Sequence, residues 1–276
     1  MKLIKPSYEI LPQAPGLEGV YKQIEKAGRV CYKSEDKITE TSAKEFVDML
    51  IKRGHLSVLE HGTVYLAIPV TTYSPDAVSK YLDNPYSKVT KSDNYTFKDS
   101  YGDEVNAWCV TTNLRVIIEN NAIEDLEFIC EPTEYHQKRT TVKFICSRST
   151  SHQLVRHRVM SFAQESQRYC NYYLDKFEKQ ITFVCPSWLD DNKVCTDFDF
   201  GLIDAETRYF NMIKLGYRPQ QARQILPNAC KTELVVTGFN DDWKQLLELR
   251  CSTGADPDIK QLMNPLKEEL CPVNVG

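Results

Sequence analysis

Between Gln153 and Tyr169 the chain collects side chains that could bind and polarise an anion. Arg156, His157, Arg158 and Arg168 supply cationic or switchable donors, and Gln153, Gln164, Glu165, Ser166 and Gln167 supply amide, carboxylate and hydroxyl groups. Arginine suits phosphate because its planar fork can bond two oxygens at once. The hydrophobic run Val142-Lys143-Phe144-Ile145-Cys146 just upstream reads as a buried strand, and residues 149–156 read as one or two helical turns. A dense polar cluster at the end of a buried strand is costly unless something anionic or hydrogen-bonding sits there. The spacing therefore suggests a site for a phosphorylated ligand. A solvated basic patch and a nucleic-acid contact are the alternatives that these residues leave open.

Other reactive side chains are less telling. His55 and His61 flank Glu60, but the spacing is not H-E-x-x-H and no third ligand lies nearby. Structural histidines are the simpler reading, and no metal site is expected. Ser166 has no G-x-S-x-G elbow around it, so a hydrogen-bonding role suits it better than that of a nucleophile. Cys170 has only Arg168 close by to lower its pKa and reads as structural. Arg250 on its own reads as a charge at a helix C-terminus.

Arg156-His157-Arg158, seven residues and then Ser166 resemble the RHR-x7-S signature of the flavin-dependent thymidylate synthases, the ThyX family. Gln153 before the signature and Arg168-Tyr169 after it fit the same pattern. His55-Leu56-Ser57-Val58-Leu59-Glu60-His61 resembles the upstream H-x-[ST]-x-x-E-H stretch of that family. Ala222-Arg223-Gln224-Ile225-Leu226-Pro227 resembles A-R-x-x-L-P, and Leu247-Glu248-Leu249-Arg250 resembles L-x-L-R. Four motifs in the family's order make a specific signal, covering roughly residues 17–69 and 140–265.

The resemblance implies methylation of dUMP at C5, with methylenetetrahydrofolate as carbon donor, FAD as hydride carrier and NADPH as its reductant. It implies a homotetramer with FAD across the subunit interfaces. Ser57, Arg156, His157, Arg158, Gln164 and Gln245 would meet the flavin, with His55 shaping the wall beside Ser57. Gln153, Arg156, Gln164, Glu165, Ser166, Gln167, Arg168, Arg223 and Arg250 would meet dUMP, some from a neighbouring subunit. Arg250 would also be catalytic, as the cation beside uracil N3. The chain departs from the family pattern at several positions: Ala163 stands for a common asparagine and Gln164 for a common glutamate. Phe239 and Asp241 replace an asparagine and an arginine that usually meet FAD, which leaves Lys244 to compensate. The late A-Q-x-E-I motif is Ala255-Asp256-Pro257-Asp258-Ile259. These changes motivate a second reading, a catalytically impaired relative that binds a nucleotide or acts in assembly.

The elements that must position these groups can be traced in order. Leu3–Leu11 suggests a short edge strand bounded by Pro6 and Pro12. Residues 17–29 have the spacing of an amphipathic helix. Ser42-Ala43-Lys44-Glu45 has the pattern of a capping box that starts another, and Gly54 suits its stop. Val64, Leu66 and Ile68 alternate as a strand closed by Pro69. Residues 70–138 match the family core poorly and read as an inserted subdomain: a short helix at 75–82, a polar stretch at 84–106 with a Gly102-Asp103 turn, a strand at 107–112, and one or two helices at 113–130. Downstream come strands at 181–184 and 231–237. The helices there lie at 202–215, from Pro219, from an Asn240 cap and from about Pro257. With no regular βαβ alternation, the fold class is α+β: a mixed or antiparallel sheet flanked by helices, in one domain spanning 1–276.

Composition sets the outer limits. The 276 residues carry 34 basic and 38 acidic side chains, a net charge of −4, which disfavours a general nucleic-acid binder. Ten cysteines include no C-x-x-C pair, the N-terminus has no signal-peptide core, and no apolar run approaches membrane-spanning length. The expectation is a reduced, cytoplasmic protein with no membrane partner.

Overall fold

The computed structural model describes residues 1–70, 74–98, 104–189 and 196–271. Its strands are β1 (Lys2–Ile4), β2 (Ser7–Ile10), β3 (Thr63–Pro69), β4 (Lys88–Lys98), β5 (Glu104–Asn113), β6 (Arg139–Ser147), β7 (Ser161–Gln164), β8 (Thr182–Val184) and β9 (Lys231–Phe239). Its helices are α1 (Gly16–Tyr32), α2 (Ser42–Lys52), α3 (Ser74–Leu82), α4 (Leu114–Glu119), α5 (Arg148–Leu154), α6 (Thr196–Lys214), α7 (Pro219–Ala222), α8 (Asn240–Arg250) and α9 (Pro257–Leu270). The α+β expectation holds. Antiparallel sheets of order β2-β6-β9-β7 and β3-β5-β4 are flanked by helices, and β1 pairs with β8 in parallel.

The four-stranded sheet positions the site. Val142, Phe144, Cys146, Leu234 and Val236 pack with Trp243, Leu246 and Leu247 of α8 and with Ile259, Leu262, Met263 and Leu266 of α9. Val235 and Ala163 pack against Ala27 and Val30 of α1. Eight consecutive residues of β9, Thr232–Phe239, are therefore buried, because both faces of the central strand are covered. A fully buried Leu or Phe contributes about 1.5–3 kcal/mol, so this strand is held firmly. The second core joins Val20 and Ile24 of α1 with Phe46, Val47 and Leu50 of α2, and with Leu66, Val78, Tyr81, Val110 and Ile117. Elements from 70–138 thus share one core with α1 and α2. The outer edge of β3 is covered: Gln13 Nε2 donates to Thr63 O (2.7 Å), Thr63 N donates to Gln13 Oε1 (2.9 Å), and Cys130 N donates to Tyr65 O (3.0 Å).

Four local expectations need correction or extension. The polar stretch 84–106 contains β4, whose residues are held by their register with β5 and not by hydrophobic alternation. β7, inside the signature, had no strand signal of its own; pairing with β9 makes it one. Ser42 does not cap α2: its hydroxyl accepts from Thr39 N (2.9 Å) and donates to Glu25 (2.9 Å). Asn240 is the first residue of α8, and its side chain accepts from Thr140 Oγ1 (2.9 Å), while Asp242 accepts from Phe239 N (3.2 Å). Gly54 does stop α2, with φ +69°. The Gly102-Asp103 turn lies outside the described residues.

Gly62 permits the close approach of α1 to the turn before β3. A Cβ there would meet Ile24 Cδ1 at 2.6 Å and Val20 Cγ1 at 2.7 Å, both in the core. Gly62→Ala is expected to destabilise the fold by about 1–3 kcal/mol. Gly201→Ala, inside α6 with nothing within 4 Å, should stabilise it by about 0.5–1 kcal/mol. Denaturant unfolding of the two variants should therefore shift in opposite directions.

Candidate active site

The signature is stretched between fixed points. Ser147 Oγ accepts from Thr150 N (3.1 Å) and caps α5 as the chain leaves β6. Leu154 and Met160 are buried on either side of Arg156-His157-Arg158. Arg156 and Arg158 stand exposed between these anchors, with no side-chain hydrogen bond or ion pair among the described residues. After β7 the backbone is pinned again, Glu165 N donating to Glu233 O (2.8 Å) and Ser166 N to Cys31 O (3.0 Å).

Arg250, at the last turn of α8, reaches back to this segment. Its Nε donates to His157 Nε2 (2.9 Å) and its Nη2 to the Gln153 carbonyl (2.7 Å). The first bond requires an unprotonated Nε2, which puts the ring proton of a neutral His157 on Nδ1. Burial and then the Arg250 charge hold the His157 pKa below its ordinary value. Burial and then the Arg156 charge lower that of Arg250. Two cations and a neutral imidazole are thus held together with only neutral acceptors against Arg250, an arrangement that an anion would relieve.

From the last residue of β7 onward the side chains turn the other way. Gln164 Nε2 donates to Ser151 Oγ (2.8 Å) and Thr232 Oγ1 (3.2 Å). Glu165 is buried and pairs with Lys231 (2.8 Å), which also pairs with Glu233 (2.6 Å). Glu233 further binds Lys33 (2.6 Å) and Lys143 (2.8 Å). Burial alone would raise the Glu233 pKa, but Lys231, Lys33 and Lys143 hold it well below the usual carboxylate range. Lys33, Glu165, Tyr172, Lys176 and Lys231 line a cavity of about 440 Å³ beside this network. Gln167 is buried beside Tyr172, and Arg168 is exposed against the Tyr169 ring at 5.6 Å. Ser166 Oγ accepts from Arg168 N (3.3 Å). Burial and then Glu165 push the Cys170 thiol up to about 12, so it is a protonated core residue.

The remaining expected site residues come from the turn before β3, the turn after α7 and an earlier turn of α8. Ser57 and His55 are exposed around the turn Leu56–His61, Gln245 is exposed on α8, and Arg223 starts the turn after α7. No hydrogen bond or ion pair among the described residues joins them to the Arg250–His157 junction. His61 is fully buried, with Nδ1 2.8 Å from Thr237 Oγ1. Among the described residues no group of three or more His, Cys, Asp or Glu is placed to hold a metal ion. Sequence reasoning overlooked Arg139, Lys231 and Glu233, which lie in strands where spacing distinguishes no ion pair from an ordinary solvent-facing charge.

Known proteins resemble this arrangement in sequence. The profile of the family described as Thymidylate synthase complementing protein matches residues 17–73 and 133–273. The chain belongs to that family. Relatives named flavin-dependent thymidylate synthase include those of Pyrococcus furiosus (34% identical over 126 residues, 45% of this chain and 51% of the relative) and Thermococcus kodakarensis (35% over 126 residues, with the same shares). That of Mycobacterium avium is 33% identical over 132 residues, 42% of this chain and 50% of the relative. The chain spans about half the length of these curated relatives. A crystal structure of the UMP/dUMP methylase PolB from Streptomyces cacaoi bound with 5-Br dUMP superposes with a TM-score of 0.44 at 15% identity, over 98% of this chain and 91% of that one. Within this member of the family, the profile leaves residues 74–132 unmatched.

His61 gives a pH test of the buried end of the motif. Burial and then Arg139 lower its pKa from 6.5 to about 3. The unfolded chain therefore takes up this proton first, and the stability it contributes is complete above pH 6.5 and lost as pH falls toward 3. The slope approaches about 1.4 kcal/mol per pH unit. Between pH 6.5 and 5 the denaturant midpoint should fall in the natural protein and stay flatter in His61→Gln.

Proposed function

We propose that the chain is a flavin-dependent thymidylate synthase that methylates dUMP at C5, and that it works as a cytoplasmic homotetramer. The observation that carries this reading is the Arg250 junction. The L-x-L-R motif and the RHR signature, 93 residues apart at Arg250 and His157, meet through a direct hydrogen bond. The donor set fits two anionic ligands. The side chains of Arg156, Arg158 and Arg223 have no hydrogen bond or ion pair among the described residues, and Arg139 Nε is buried without an acceptor. A subunit-spanning assembly would bring to the ligands Ser57, Gln245 and Arg223, whose side chains make no bond to the Arg250–His157 junction within one chain. Residues 70–138 are an insertion whose elements share the second core with α1 and α2, a reading supported by the unmatched stretch 74–132.

Arg156, His157 and Arg158 would hold FAD with Ser57, Gln245 and Gln164, whose amide nitrogen bonds Ser151 and Thr232 in this structure. Gln153, Ser166, Gln167, Arg168 and Arg223 would hold dUMP with Glu165, whose carboxylate bonds Lys231 in this structure. When bound, FAD supplies hydride chemistry, methylenetetrahydrofolate the carbon and NADPH the reducing equivalents. The chain's own part is electrostatic. Uracil C5 is a weak nucleophile, and a fixed cation beside N3 and O4 stabilises the anion that makes C5 reactive. His157 and the Gln153 carbonyl occupy the Nε proton and one Nη2 proton of Arg250, which leaves its remaining N–H groups for the base. Their neutrality keeps that cation uncompensated until the substrate arrives.

The purified protein should show flavin absorption or acquire it with FAD, and should release tritium from 5-tritiated dUMP when NADPH and methylenetetrahydrofolate are present. Arg250→Ala should cut tritium release by about 10²–10³-fold while flavin stays bound. Unchanged turnover in that variant would remove Arg250 from its assigned role.

A further inference from the structure

Cations that form no ion pair among the described residues lie where β4 begins, at Lys88, and where β6 begins, at Arg139, beside the end of β9. Arg139 and Phe239 are register partners across β6 and β9. The Phe239 ring takes the Arg139 guanidinium at 5.5 Å and the Lys88 ammonium at 5.7 Å. Arg139 donates to neutral acceptors, Glu60 O (3.0 Å), Thr63 Oγ1 (3.4 Å) and Ser161 Oγ (3.4 Å), and its Nε is buried without a partner. Tyr86, half-buried just before β4, has its phenol pKa raised by burial and then by the Glu60 charge, against which the charges of Arg115, Arg158 and Arg139 act. Arg115 is matched by Glu60 (2.5 Å) and Glu119 (2.8 Å), and Asp242 is engaged by Phe239 N (3.2 Å). Arg139, Arg158 and Lys88 form no ion pair with any described carboxylate.

We propose that Tyr86 and Lys88, together with Arg139 and Arg158, receive the diphosphate and purine end of a dinucleotide. On the flavin-dependent reading above, on which this rests, that dinucleotide is FAD. A diphosphate brings two negative charges to three cations that form no ion pair among the described residues, and a planar base can lie on an exposed part of the Tyr86 ring. Burial lowers the Arg139 pKa, a desolvation that the nearby Glu60 and Asp242 charges offset only in part, and a bound anion would offset it further. Both Tyr86 and Lys88 come from the stretch that the family profile leaves unmatched. That stretch therefore adds ligand-binding groups of its own to the signature Arg158. Lys244, the exposed lysine on α8, is the competing candidate for the same anion.

Titrating the apo full chain with FAD and with FMN, followed by flavin fluorescence, tests this, because FMN lacks the adenosine and the second phosphate. Lys88→Gln, at an exposed position, should raise the Kd for FAD about tenfold and leave that for FMN unchanged, with Lys88→Arg restoring FAD affinity. Tyr86→Leu should act in the same direction and Tyr86→Phe should not. The proposal is overturned if FAD affinity is unchanged in Lys88→Gln and Tyr86→Leu while the natural protein binds FAD, an outcome that leaves the flavin-dependent reading standing. It is equally overturned if FAD and FMN weaken together, or if Lys244→Gln has the effect and Lys88→Gln does not. A natural protein that binds neither flavin overturns both readings.

Discussion

The ladder that β9 makes with β6 on one side and β7 on the other governs the position of nearly every side chain considered above. β9 is covered on both faces, by α8 and α9 on one and by α1 on the other, so its ends cannot drift. From the end of β6 the chain passes through α5 to Arg156-His157-Arg158 and returns as β7. From the end of β9 it turns at Phe239 into α8, which carries Arg250 back to His157. The junction of the two motifs is thus a consequence of one buried strand holding two outgoing segments at a fixed separation. Exposed arginines alone could not meet in this way, because ordering long side chains costs more than their mutual contacts return.

Charge is distributed unevenly around that frame. On the side of Glu165 and Glu233, lysines and carboxylates satisfy each other in a buried network, which makes the region self-sufficient. On the side of Arg156, Arg158, Arg139 and Arg250, the acceptors are carbonyls, hydroxyls and an imidazole. Neutral acceptors hold an arginine in place without cancelling its charge. A protein that must bind an anion and stabilise a developing one needs this second arrangement, because a resident carboxylate would compete with the ligand.

Much of the fold could be read from local pattern. The helical spacing of Leu17, Val20, Tyr21 and Ile24, the Gly54 stop, the Pro219 start and the start of α9 near Pro257 each depend on residues within one or two turns. β4 and β7 were not legible, because their strand character comes from register with β5 and β9 and not from their own alternation. The site divided in the same way. Arg250 alone reads as an ordinary charge at a helix end, and only the company of the other motifs singles it out.

The sequence by itself determined the kinds of chemistry present and the family, since residue type and motif order are local properties that survive without coordinates. It did not determine that Gln164 and Glu165 turn inward, that His157 must be neutral, or that Lys88 shares a ring with Arg139. Those facts belong to pairs from 13 to 151 residues apart. Only the packed sheet brings such partners within hydrogen-bonding or ring-contact distance, and short-range periodicity carries no information about which distant strand a given residue will face.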